Sequence, residues 1–172
     1  DRPLELVDFK NLPSEIAELA SMSMELISME HWHHFFENKQ ELKMAKRKHL
    51  EDVLKGLPWI ACVDAFQHWI YTNPNHTVEE RSNAWLKTYE RFASKSVDWT
   101  GVESVKKLLW QKQLHIYEVP FYYIEYGFAQ LGAIAMWRNY RLNPTQTIKQ
   151  YLDALKMGYT ASISEVYEKA GV

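Results

Sequence analysis

Apolar residues recur three and four positions apart through most of this chain, the spacing that gathers them on one side of an α-helix. No stretch alternates apolar and polar residues with β-branched enrichment, so the pattern predicts an all-α fold, a multi-helix bundle. Short punctuation separates the periodic runs: Lys55-Gly56-Leu57-Pro58, Thr72-Asn73-Pro74-Asn75, Asp98-Trp99-Thr100-Gly101, Asn143-Pro144 and Gly158. Asn11 or Ser14 is expected to cap a first helix that has Pro13 in its first turn and runs through Glu25 toward Phe36. A second, from about Gln40 to Leu54, carries Leu42, Ala45, His49, Leu50 and Val53 on one stripe. Further helices are expected over Pro58 to Tyr71, Val78 to Phe92, Val102 to about Lys112, Pro120 to Tyr140, Thr145 to Met157 and Ser162 to Ala170. Thr77 with Glu80 makes a capping box, and Pro144 follows Asn143 at a first helical turn. His115 to Val119 reads as an inter-helix loop, because Pro120 disfavours helix at the residue before it.

Composition narrows the picture. With 172 residues, 47% of them hydrophobic and 24% charged, the chain is too apolar for disorder and too charged for a membrane bundle. A chain of this length buries roughly 70% of its unfolded surface, so residues 1–172 are expected to form one helical domain. The longest apolar stretch, Phe128 to Trp137, is interrupted by Gln130 and falls far short of a bilayer span, so no membrane partner is expected. Twenty Lys and Arg against 22 Asp and Glu leave a net charge of -2, which supplies no field to draw in nucleic acid. Cys62 lies in an apolar run and has no second cysteine to pair with, which fits a reducing compartment, the cytoplasm. The chain opens on Asp1 without Met or a secretory signal, as expected for a piece of a longer polypeptide.

Three constellations could carry chemistry. Glu15, Glu18, Met22 and Glu25 share one face of the first helix, while Ile16, Leu19, Ala20, Leu26 and Ile27 occupy much of the rest. Acids on so apolar a helix need a metal, Arg, His or hydrogen-bond donors if they are buried, and otherwise form the solvated face of an amphipathic helix. His115 to Tyr126 combines one imidazole with Tyr117, Tyr122, Tyr123 and Tyr126 around Pro120. Such donors, aimed into one cavity, can stabilise an oxyanion; alternatively, the rings are core packing with their hydroxyls at the edge. Glu30-His31-Trp32-His33-His34 contains a single Glu-x-x-His unit, which excludes a di-iron bundle and leaves a metal site or a solvated helix end. No nucleophile elbow or Gly-rich phosphate loop is present, and Cys62 reads as a packed thiol.

The segment Leu12 to Leu26 resembles the stretch that follows the zinc-binding helix in oligoendopeptidase F, of the thimet-oligopeptidase group of zinc peptidases. Two later blocks are similar to the same family in the same order: His115 to Trp137, centred on Tyr-Glu-Val-Pro-Phe-Tyr-Tyr-Ile-Glu-Tyr-Gly, and Tyr151 to Gly158 with the tail Ala170-Gly171-Val172. The resemblance implies that Glu18 is a zinc ligand and that Glu25 orients a zinc-binding His from beside the site. It implies that His115, Tyr123 and Tyr126 are catalytic, binding the scissile carbonyl oxygen and the peptide backbone, with Tyr122 and Tyr123 as alternatives for the same substrate-binding position of the motif.

The chain departs from the family in having no His-Glu-x-x-His, so two zinc ligands and the general base are absent from it. In the family they lie upstream. The resemblance therefore implies the C-terminal portion of a zinc-peptidase catalytic domain, with an incomplete zinc site, inactive alone, whose partners are an oligopeptide substrate and the missing N-terminal part of the same enzyme. The surface left uncovered by that missing part is expected to promote self-association of the chain. The reading from another class is a non-enzymatic helical module that binds a peptide or partner helix in a Tyr-rich groove.

Overall fold

Eight α-helices carry the residues that the computed structural model describes, 3–172, and no strand occurs among them. They are α1 (Ser14–Ser28), α2 (Lys39–Thr72), α3 (Val78–Phe92), α4 (Glu103–Leu108), α5 (His115–Glu118), α6 (Tyr123–Leu142), α7 (Pro144–Lys156) and α8 (Ile163–Ala170). Single 3-10 turns cover Val7–Lys10, Met29–His34 and Leu109–Lys112. The all-α expectation holds.

Several boundaries follow from local chemistry. The Thr77 hydroxyl accepts from the Glu80 amide while the Glu80 carboxylate accepts from the Thr77 amide, so α3 begins and ends where the pattern puts it. Asn143 caps α7 through the Gln146 amide, with Pro144 in the first turn, where a missing N–H costs little. Ser162 and Glu165 form a second capping box on α8, which Gly171 closes in the left-handed conformation at φ +83°.

Three expectations need correction. Pro13 is itself the residue before α1, and neither Asn11 nor Ser14 caps it. The two helices expected on either side of Gly56 and Pro58 are one helix of 34 residues with Pro58 inside it. Pro58 forfeits the hydrogen bond to the Leu54 carbonyl. Leu54 and Pro58 are both exposed, so water can satisfy that carbonyl, and burial of Ile60, Cys62, Val63 and Phe66 just beyond holds the helical register. His115 to Glu118 is a turn of helix, α5, because the restriction imposed by Pro120 reaches back only to Val119, which is extended in φ at -135° and ends the turn.

The chain divides into two compact units. One comprises the residues up to Glu51 and from Phe128 onward. Its core is aliphatic: Ile16, Leu19 and Ile27 of α1 pack with Ala129 and Met136 of α6, Ala154 of α7 and Val166 and Ala170 of α8. The segment before α1 is tied in by the Tyr159 amide, which donates to the Phe9 carbonyl at 2.9 Å. Gly158 makes that approach possible: at φ +54° a Cβ would collide with the Phe9 carbonyl and Leu4.

The other unit, Asp52–Gly127, has an aromatic core of Phe66, Trp85 and Trp110 with Cys62. The Phe66 ring lies 5.2 Å from Trp85 and 5.5 Å from Trp110. Trp85 is wholly buried, and its indole N–H donates to the Lys106 carbonyl at 2.9 Å. Burial pushes the Cys62 thiol up to about 12, so it serves packing and not nucleophilic chemistry.

Candidate functional site

In the unit of residues 52–127, α5 and the start of α6 bring the imidazole and the phenols together. The His115 ring sits 5.0 Å from Tyr123, 5.6 Å from Tyr126 and 5.8 Å from Tyr122, the first two edge-on. Tyr126 in turn packs edge-on against both Tyr122 and Tyr123. His115 Nε2 lies 3.3 Å from the Tyr126 hydroxyl. All four side chains are half-buried, so the cluster has both a packed side and an open one. Burial raises the Tyr123 phenol above its ordinary value, an effect that a hydrogen bond with Trp59 partly offsets.

The backbone that presents these rings is strained at one point. Phe121 has φ +59°, a region that a bulky side chain seldom adopts. Its ring is held 4.8 Å from His68 and 5.0 Å from Tyr71, both on α2, which secures the conformation between Pro120 and the first turn of α6. The sequence contains no signal for this, since Phe is not a residue that marks a left-handed turn.

Two further residues escape a motif-based reading. The Trp59 indole N–H donates to Gln113 Oε1 at 3.1 Å, and Gln113 Nε2 lies 2.7 Å from His115 Nδ1. Trp59 is 54 positions from Gln113, a separation that only the tertiary fold closes.

In the other unit, α1 turns Ile16, Leu19, Ser23, Leu26 and Ile27 inward. Glu15 and Glu18 are half-buried, and Glu25 is exposed. The acid stripe is therefore the more open face of a helix buried on its opposite side. Glu18 and Glu25 each accept a serine hydroxyl on the main-chain carbonyl, from Ser21 at 3.0 Å and Ser28 at 2.9 Å. The Tyr167 hydroxyl donates to the Glu15 carbonyl at 3.4 Å. Burial, with the nearby Glu15 charge, pushes the Tyr167 phenol up to about 12.

The histidines after α1 are exposed on the 3-10 turn Met29–His34. His31 shares a hydrogen bond with the Tyr140 hydroxyl at 3.1 Å, and Glu30 accepts from the Trp137 indole at 3.2 Å and lies 3.9 Å from Arg141. Among the described residues no three His, Cys, Asp or Glu side chains gather as a metal site, and no helix is long and apolar enough to cross a membrane.

The sequence profile of peptidase family M3 matches residues 4–172. Among solved structures, the chain is similar to PZ peptidase A, determined with an inhibitor, at 32% identity and a TM-score of 0.91, over 100% of this chain and 30% of that one. It is also similar to a Bacillus anthracis strain Ames protein described as an oligoendopeptidase F, at 28% identity and a TM-score of 0.77, over 99% of this chain and 27% of that one. A further oligoendopeptidase F structure matches at 29% identity and a TM-score of 0.83, over 96% of this chain and 29% of that one. The chain thus spans less than a third of the length of the structures it matches. No curated protein matches it in sequence.

Proposed function

Because the chain belongs to peptidase family M3, we propose that the full-length protein carrying it is a zinc-dependent, cytoplasmic endopeptidase that hydrolyses oligopeptides. In this reading residues 1–172 are the C-terminal part of a larger catalytic domain. The observation that carries it is the donor pair of His115 and Tyr126, 3.3 Å apart within a cage of three tyrosine rings. Peptide hydrolysis builds negative charge on the carbonyl oxygen as its carbon becomes tetrahedral. Preorganised N–H and O–H donors in a partly dry pocket stabilise that charge without having to reorganise. A Tyr126 hydroxyl that accepts from His115 donates more strongly in turn, because the two bonds polarise in the same sense. Tyr122 and Tyr123, at the mouth of α6, are proposed to bear on the peptide backbone.

Glu18 is proposed as a zinc ligand. A half-buried carboxylate on a rigid helix suits that role, and catalytic zinc ordinarily takes three protein ligands. Since no such trio gathers among the described residues, this chain contributes to a site and does not complete one. The remaining ligands are proposed to be histidines from the part of the longer relatives that this chain does not span, one of them oriented by Glu25. When bound, zinc supplies Lewis-acid polarisation of the carbonyl.

The test is turnover of quenched fluorescent oligopeptides by the full-length protein, with and without a zinc chelator. Chelator-sensitive cleavage within the peptide is the expected result, and zinc-loaded protein that cleaves no peptide overturns the reading. The isolated chain of residues 1–172 is expected to be inactive and, after dialysis, to hold less than one zinc per molecule by elemental analysis.

A further inference from the structure

Which ring nitrogen of His115 carries the proton is settled by its neighbours. The Trp59 indole N–H, which Tyr123 shares, can only donate, so its contact with Gln113 requires the Gln113 oxygen to face Trp59. That orientation leaves the Gln113 NH₂ facing His115 Nδ1 at 2.7 Å, where it donates and Nδ1 must accept. The single proton of the neutral ring is then on Nε2, the nitrogen 3.3 Å from the Tyr126 hydroxyl. Every link is anchored. The Trp59 ring packs edge-on to Trp85 at 5.7 Å, and the Lys112 ammonium lies 4.1 Å above it. The Gln113 backbone is bonded on both sides, its amide to the Trp110 carbonyl and its carbonyl to the Ile116 amide.

We propose that Trp59 and Gln113 are positioning residues, a directional relay that holds His115 as the Nε2–H tautomer and so keeps a donor on the Tyr126 hydroxyl, whose own O–H is then directed at the reacting carbonyl oxygen. This rests on the proposed peptidase reading for its catalytic consequence. The tautomer itself does not depend on that reading. A neutral imidazole left to choose exchanges between two tautomers, and one of them would present a lone pair where the oxyanion needs a donor.

The decisive variant is Gln113→Glu. A carboxylate keeps the size of the side chain and still accepts from Trp59, but it offers His115 Nδ1 only an acceptor. In the neutral ring the proton then moves to Nδ1 and the Tyr126-facing donor is lost. In the doubly protonated ring both nitrogens donate and nothing is lost.

Two measurements on the full-length protein test the relay. With ¹⁵N-labelled histidine, assigned by loss of the signal in His115→Gln, the parent should show His115 as Nε2–H, and Gln113→Glu should show the Nδ1–H or imidazolium pattern. In turnover, Gln113→Glu should lose on the order of 10²-fold in kcat with KM held. An Nδ1–H signal in the parent overturns the proposal, and it needs no variant to fold. So does an unchanged His115 signal in Gln113→Glu, or an unchanged kcat once that signal has moved to the Nδ1–H pattern. Absence of any peptidase activity would defeat the functional reading while the nitrogen spectrum still decides the relay.

Discussion

In the unit of residues 52–127 the candidate groups come from α2, from α5 with the turn that leads into it, and from the start of α6, and they hold one another by ring packing and a chain of hydrogen bonds. In the other unit the candidate acids lie along one helix, three and seven residues apart, with bonds to their main chain and an open face. The first arrangement is preorganised by its own unit. The second is a row of carboxylates set by the spacing of one helix. This contrast accounts for a chain that belongs to peptidase family M3 and yet gathers no metal site among its described residues.

The cores differ in the same sense. The aromatic core concentrates its burial in a few large rings, whereas the aliphatic one distributes it over many small side chains, including Ala129, Ala154 and Ala170. Few large contacts make each one expensive to lose.

Three experiments would break or sharpen this comparison. The largest effect is expected at Trp85: Trp85→Ala should cost about 3–5 kcal/mol in denaturant unfolding, since it empties a ring-sized space and removes the indole's bond to the Lys106 carbonyl. Val166→Ala, at an equally buried position of the aliphatic core, should cost about 2 kcal/mol, two methyl groups plus a small cavity. Equal costs would remove the distinction between the cores.

Next come the candidate site residues in the full-length protein. Tyr126→Phe should lower kcat on the order of 10²-fold and leave zinc content intact, because it removes a donor and no ligand. Glu18→Gln should lower zinc content itself, read by elemental analysis after dialysis, and activity should return on adding excess zinc. Zinc lost from Tyr126→Phe, or retained in full by Glu18→Gln, would reverse the two assignments.

The smallest effects concern the capping boxes, which the two units share. Thr77→Ala and Ser162→Ala should each cost about 1 kcal/mol by thermal or urea melting, because each leaves a first-turn amide without its acceptor. Both carboxylates in these boxes, Glu80 and Glu165, are held below the ordinary range by hydrogen bonds from their capping residues. Their stabilising contribution is therefore full above the unfolded value of 4.5 and fades as pH falls through the lower folded one, and each alanine variant should flatten its share of that acid limb.

Much of this molecule is written in short-range terms. The 3.6-residue period determines an all-α chain, and the capping box at Thr77 and the Asn143-Pro144 pair determine where α3 and α7 start, because those signals act within one helical turn. The shared face of Glu15, Glu18 and Glu25 is likewise a matter of spacing alone. Tertiary structure decided the rest. Whether Pro58 breaks a helix depends on whether the residues beyond it are buried in register, and in α2 they are. Phe121 keeps a left-handed backbone where its ring packs against His68 and Tyr71, contacts that come from a distant helix. The proton on His115 is directed by Trp59, 56 positions away, through a glutamine that no motif marks, because a hydrogen bond is set by distance in space and not along the chain.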